Sequence, residues 1–265
     1  IPTSMLPILA GVAILAVFVV FLVPLMKSRG RRFKHVAELL GGTIPTATLV
    51  LVVGPSGSGK TLLLQNVLAD SLRLSRPCVY ATNSELPSKI KDRLARMGVE
   101  AQKCQDKNVL RFVDAYSGGT GIVSLEKHYV SSPKDLTSLG IQITSSLEEV
   151  GGVGDVFLDS LGPIVGIGDP AQALGFVQYY GARIVKSGGT FIYVASDTIE
   201  ASLLDRLEET SDCVLRTERF TAPGNIRGRL LVKKAVGLQH YEGWVGFKIR
   251  PSGRMEFLSL PGDNR

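Results

Sequence analysis

Ala47-Thr48-Leu49-Val50-Leu51-Val52-Val53 runs directly into Gly54-Pro55-Ser56-Gly57-Ser58-Gly59-Lys60-Thr61, and helical spacing begins at Leu62. A continuous apolar run of this length is what a strand buried on both faces of a sheet requires. The residues after it satisfy the pattern G-x-x-x-x-G-K-[ST]. The pattern carries chemistry only between a strand and a helix. Glycines let the backbone curl so that successive N–H groups point at phosphate oxygens, and the helix adds its positive end. In such a P-loop Lys60 reaches the β- and γ-phosphates of a nucleoside triphosphate and Thr61 ligates Mg²⁺. Gly54, Pro55, Ser56, Gly57, Ser58, Gly59, Lys60 and Thr61 are therefore the expected nucleotide cradle. A chance glycine-rich turn would lack the flanking strand and helix.

Outward from this loop, strands and helices alternate. Cys78–Thr82, Val109–Asp114, Val156–Asp159 and Phe191–Ala195 read as strands. Leu62–Leu74, Pro87–Met97, Asp135–Val150, Ala171–Ser187 and Ile199–Thr210 read as helices, and Val36 to Pro45 as a connector broken at Gly41-Gly42. Alternation of this kind implies an α/β fold with a parallel sheet covered on both sides. After Cys213 the rhythm changes to short strands, Cys213–Thr217, Arg229–Lys234, Trp244–Ile249 and Met255–Leu258, separated by turn residues. This reads as an antiparallel C-terminal edge on a mainly parallel sheet.

A P-loop site needs an acid at the end of a second apolar strand to hold Mg²⁺, and Val156-Phe157-Leu158-Asp159 supplies one. About 100 residues separate Lys60 from Asp159, with a full strand–helix unit between them. Small nucleotide kinases and GTPases have a shorter gap, and no guanine-reading N-K-x-D is present, so ATP is preferred. Glu85 follows the interposed strand and has two readings: a general base that polarises the attacking water, or an acid that caps Pro87–Met97. Ser196 and Asp197 precede Ile199–Thr210 and read as its cap. His35, His128 and His240 show no ligand spacing, and Cys78, Cys104 and Cys213 form no C-x-x-C pair.

The 265 residues carry a formal charge of +6. Lys27, Arg29, Arg31, Arg32 and Lys34 account for five of the surplus positives, and no acid precedes Glu38. The rest is close to neutral, which argues against a nucleic-acid partner. From Leu6 to Met26 no residue is charged. As a helix that stretch would span about 31 Å, close to the hydrocarbon core of a bilayer. The basic run after it predicts a single-pass membrane anchor with the remainder cytoplasmic. A cleaved signal peptide would place its charges first, and a core helix would not be apolar all round. The chain divides into an anchor with its basic run (1–35), an ATPase domain (36–260) and a tail (261–265).

With these motifs in place, the chain resembles the KaiC-like ATPases of the RecA superfamily, abundant in archaea. The carrying residues are Gly54–Thr61; Pro77-Cys78-Val79-Tyr80-Ala81-Thr82 with Glu85-Leu86-Pro87; Phe112-Val113-Asp114-Ala115-Tyr116-Ser117; Leu158-Asp159-Ser160; and Gly237-Leu238-Gln239-His240-Tyr241-Glu242-Gly243. The resemblance covers about Ala37 to Leu260 and leaves the anchor outside it. It implies a RecA-like core that assembles into homo-oligomers, often hexameric rings with nucleotide at subunit interfaces. It also implies a polar sensor of the γ-phosphate at Ser196 and Asp197, the alternative to their capping role, and a basic pair that reaches the neighbour's γ-phosphate. Lys234 falls at the first position of that pair, while Val236 stands where an Arg is expected. A second glutamate beside the base is replaced by Ser84. Both departures fit slow hydrolysis. The leading expectation is a membrane-tethered, Mg²⁺-dependent ATPase working slowly as a signalling or regulatory switch. The alternatives are a non-hydrolysing, ATP-dependent scaffold docked to a membrane machine, as in archaellum-motor relatives, and recombinase-like DNA binding.

Overall fold

Strand β2 (Leu49–Gly54) is buried along its whole length, so each face needs its own cover. Val50 and Val52 belong to one apolar core; Leu49, Leu51 and Val53 belong to the other. The computed structural model describes residues 32–260 apart from Thr43, Pro133, Gly168, Pro223 and Gly224. The expected span 6–26 lies outside the described residues, and among those described no helix is long and apolar enough to cross a membrane.

In chain order the strands are β1 (Arg32–Phe33), β2, β3 (Cys78–Thr82), β4 (Leu110–Asp114), β5 (His128–Tyr129), β6 (Asp155–Asp159), β7 (Thr190–Ser196), β8 (Cys213–Ala222), β9 (Ile226–Ala235), β10 (Trp244–Ile249) and β11 (Met255–Ser259). The helices are α1 (Lys60–Arg73), α2 (Pro87–Arg96), α3 (Ala101–Asp106), α4 (Ser117–Thr120), α5 (Leu136–Glu149), α6 (Gly162–Ile167), α7 (Pro170–Lys186) and α8 (Ala201–Thr210). Among the described residues the strands form one sheet in the order β1-β11-β10-β9-β8-β2-β7-β6-β3-β4-β5. From β8 to β5 the pairs are parallel. From β8 outward to β1 they are antiparallel.

Local chemistry starts the helices where the sequence reading places them. Asp135 caps α5 by accepting from Ser138 N at 2.9 Å. Asp169 caps α7 by accepting from Ala171 N at 2.9 Å, with Pro170 in the first turn. Two readings shift. The helix expected from Ile199 begins at Ala201 behind Glu200. Part of the basic run belongs to the sheet, because Arg32 and Phe33 pair with Leu258 and Phe257 and Phe33 is buried. The connector after it contains a 3₁₀ helix, Val36–Leu40, closed by Gly41 in the left-handed region. Elements β1, β5, α3, α4 and α6 are two to six residues long, too short to show a period.

The antiparallel half of the sheet packs on the same side as α1. Phe247 of β10 is buried, and its ring sits 3.1 Å from where a Cβ on Gly59 would stand and 2.3 Å from one on Gly228. It thus wedges between the start of α1 and β9. Phe247→Ala is expected to lower unfolding free energy by about 3–5 kcal/mol. Gly175→Ala, on the exposed face of α7 with open space around the new methyl, is expected to raise it by roughly 0.5–1 kcal/mol. Urea denaturation of both variants checks the pair.

Candidate nucleotide-binding site

The strand order brings together what the chain separates. β3 follows β2 in sequence, yet β7 and β6 lie between them in the sheet. The carboxyl ends of neighbouring strands then pair across this reversal: Gly54 with Ser196, and Thr82 with Asp159. A crevice at such a switch point is where open α/β sheets bind ligands. Here it holds a cavity of about 590 Å³ whose walls include Gly57, Lys60, Thr61, Asp159, Ser160 and Ser196.

Gly57 and Gly59 have φ of 72° and 92°. Both lie in the region where a side chain is strained, so the loop curls and Gly59 can open α1. The Lys60 ammonium is held by the carbonyls of Gly54 and Pro55 at 2.7 and 2.8 Å. Burial lowers its pKa, and the nearby carboxylates of Asp197 and Asp159 oppose that shift. Thr61 Oγ1 donates to Asp159 Oδ1 at 3.2 Å, and the Tyr80 hydroxyl donates to Oδ2 at 3.1 Å. Asp159 is buried. Burial pushes its carboxyl up, while the hydroxyls of Tyr80 and Thr61 hold it back. Among the described residues no group of three or more His, Cys, Asp or Glu is placed to hold a metal ion by itself. The pair of hard oxygens on Thr61 and Asp159 nevertheless suits Mg²⁺, an ion that takes one or two protein ligands beside phosphate oxygens and water.

Glu85 does not cap α2, whose N-cap is Leu86. Its Oε1 accepts from Gln65 Nε2 at 2.9 Å and from the Arg93 guanidinium, and Arg93 Nε donates to Gln65 Oε1 at 2.7 Å. The three side chains close a ring one turn along α1 from Thr61. Neither Ser196 nor Asp197 caps α8. Ser196 Oγ bonds Thr198 Oγ1 at 2.7 Å, and Asp197 N donates to Gly54 O at 3.3 Å. Asp114 is committed to its own loop, accepting from Ser117 and Ser124 hydroxyls at 2.6 and 2.7 Å.

Lys234 is not brought to this chain's cavity. Leu230 pairs with Thr217 beside the loop, and Lys234 lies four positions on, roughly 13 Å of strand. Its ammonium donates to the carbonyls of Glu208 and Glu209 at 3.1 and 3.0 Å, completing the last turn of α8. Residues that sequence reading missed stand closer. Gln65 and Arg93 line the cavity. Arg219 Nε donates to Ser56 O at 2.9 Å, and Thr217 Oγ1 bonds Ser58 Oγ at 2.7 Å. Gln65 had one signal, a polar residue four positions after Thr61 on the apolar face of α1; the others had none.

The raised Asp159 pKa has a sign. Stability from this group is present below the unfolded carboxylate pKa and is lost as pH rises through the folded one. Asp159→Asn removes the buried charge and is expected to raise Tm above the parent at neutral pH, with the gap closing at acid pH. Thermal unfolding at both pH values tests this; a lower Tm at neutral pH would mean the hydroxyl contacts outweigh burial.

Comparison with known proteins places the chain. Its residues 33–258 match the family "ATPase: KaiC". A UPF0273 protein of Pyrococcus horikoshii is 26% identical over 212 residues, covering 77% of this chain and 83% of the relative. One from Thermotoga maritima is 25% identical over 231 residues, covering 86% and 95%. One from Methanopyrus kandleri is 27% identical over 219 residues, covering 82% and 86%. The crystal structure of a KaiC-like protein from Pyrococcus horikoshii superposes with a TM-score of 0.68 at 16% identity, over 87% of this chain and 100% of that one, a likeness of fold. With a P-loop, a buried carboxylate under it and a RecA-like sheet matched over this length, the chain belongs to the KaiC family of ATPases.

Proposed function

We propose that the chain binds ATP with Mg²⁺ and hydrolyses it slowly, as a membrane-tethered regulatory switch. The observation that carries this reading is the Thr61–Asp159 contact beside Lys60 in one cavity. Lys60 would bind the β- and γ-phosphates, with Gly54–Thr61 wrapping them. Thr61 and Asp159 would hold Mg²⁺, which when bound neutralises charge on the phosphate oxygens. Glu85 would accept a proton from water at the cavity. Slow turnover is supported by Ser84 and Val236, which stand where the resemblance expects a glutamate and an arginine. Tethering is supported by the uncharged stretch 6–26 and the basic residues after it. Lys234 would act on a phosphate only in a neighbouring subunit, in a ring or smaller homo-oligomer. A partner at the membrane would read the nucleotide state from the loops at Glu85 and Ser196.

A second reading, an ATP-dependent scaffold without turnover, is favoured by the engagement of Glu85 with Arg93 and Gln65. Turnover separates the two. A truncated form should keep Arg32 and Phe33, since both pair with β11. Steady-state Mg-ATP hydrolysis is expected to fall about 10²-fold or more in Glu85→Gln while binding persists. Lys60→Ala is expected to lose binding. Tight binding in the parent without turnover would leave the scaffold.

A further inference from the structure

We propose that Arg93 is a second phosphate-facing cation of the nucleotide cavity, and that the terminal phosphate of a bound triphosphate takes it from Glu85. This rests on the reading of the cavity as a nucleotide site. The geometry is unusual in one respect. Arg93 and Gln65 line the cavity wall together with Lys60, Thr61 and Asp159, and Glu85 is bonded to both. The candidate base is therefore tied to two residues of the cavity wall.

Each member of the ring has a separate anchor. Gln65 is fully buried on α1, and its amide donates to Glu85 while its carbonyl accepts from Arg93. Glu85 is fixed at the end of β3, where its carbonyl accepts from Thr82 Oγ1 at 2.9 Å. Arg93 comes from α2, beyond buried Ile90, and its side chain is 26% exposed. Of the three it alone combines a full charge, several donors and access to the cavity. A guanidinium presents its donors as a planar fork that fits a carboxylate and a phosphate equally well. A terminal phosphate entering beside Lys60 would thus compete with the Glu85 carboxylate for one cation. No bond is made or broken in this exchange. It releases Glu85 toward water only when the third phosphate is present, and a diphosphate leaves the ring closed.

The test is equilibrium binding of the β,γ-imido analogue of ATP and of ADP, each with Mg²⁺, to the full chain and its variants. Arg93→Ala is expected to weaken the analogue about tenfold or more, with ADP little changed. Glu85→Gln removes the competitor and is expected to tighten the analogue, but not in the double variant, because the two effects pass through one contact. A merely structural Arg93 would weaken both ligands alike. An equal shift for both ligands, or none, in folded Arg93→Ala overturns the proposal and leaves the nucleotide site standing. A parent that binds neither ligand overturns the nucleotide site and this proposal together. If Arg93→Ala does not fold, Arg93→Gln, which keeps a donor without the charge, must lose the preference for the analogue.

Discussion

Thr61 Oγ1 meets Asp159 Oδ1 at 3.2 Å across the gap between α1 and the end of β6, and the cavity is arranged around that contact. It exists because β7 and β6 stand between β2 and β3 in the sheet, so that Asp159 emerges beside Thr82 and Ser196 beside Gly54. The contact has a cost. A carboxylate is kept buried, and burial disfavours its charged form. Tyr80 and Thr61 offset part of that by donating hydroxyls to both oxygens. Such an acid weakens the fold unless a cation comes to it, which is the electrostatic logic of a metal-side ligand.

The P-loop is held from both flanks of β2. On the β7 side, Asp197 N donates to Gly54 O. On the β8 side, Thr217 bonds Ser58 and Arg219 bonds the Ser56 carbonyl. Underneath, Phe247 from the antiparallel half packs against Gly59. The antiparallel extension is thus a buttress for the loop as well as an edge for the sheet. It also ties in the start of the domain. His35 Nδ1 pairs with Asp70 Oδ2 at 2.8 Å, and Arg254 bonds Asp70 Oδ1 at 2.6 Å. Asp70 lies on α1, so the helix that opens at the P-loop ends in contact with the residue that follows the basic run. A shift of α1 would be felt at His35.

Strand and helix content, the P-loop and the acid at Asp159 were legible in the amino-acid sequence because each is written locally. Any strand buried on both faces must be continuously apolar, as Leu49–Val53 is, and a phosphate cradle needs glycines at fixed offsets before Lys60 and Thr61. The antiparallel edge was legible from its turns. What the chain could not show alone is which ends meet. The partners of Glu85 are 20 and 8 positions away on two different helices, and no local period records such a pairing. The same holds for Arg219 and Thr217, which reach the P-loop from 163 and 159 positions on. Lys234, which the resemblance sets against a neighbour's γ-phosphate, is placed within this chain by strand register at the far end of α8. Local sequence determined the elements and the chemistry each could carry; the order of strands in the sheet, a property of long-range packing, decided which of those groups share a cavity.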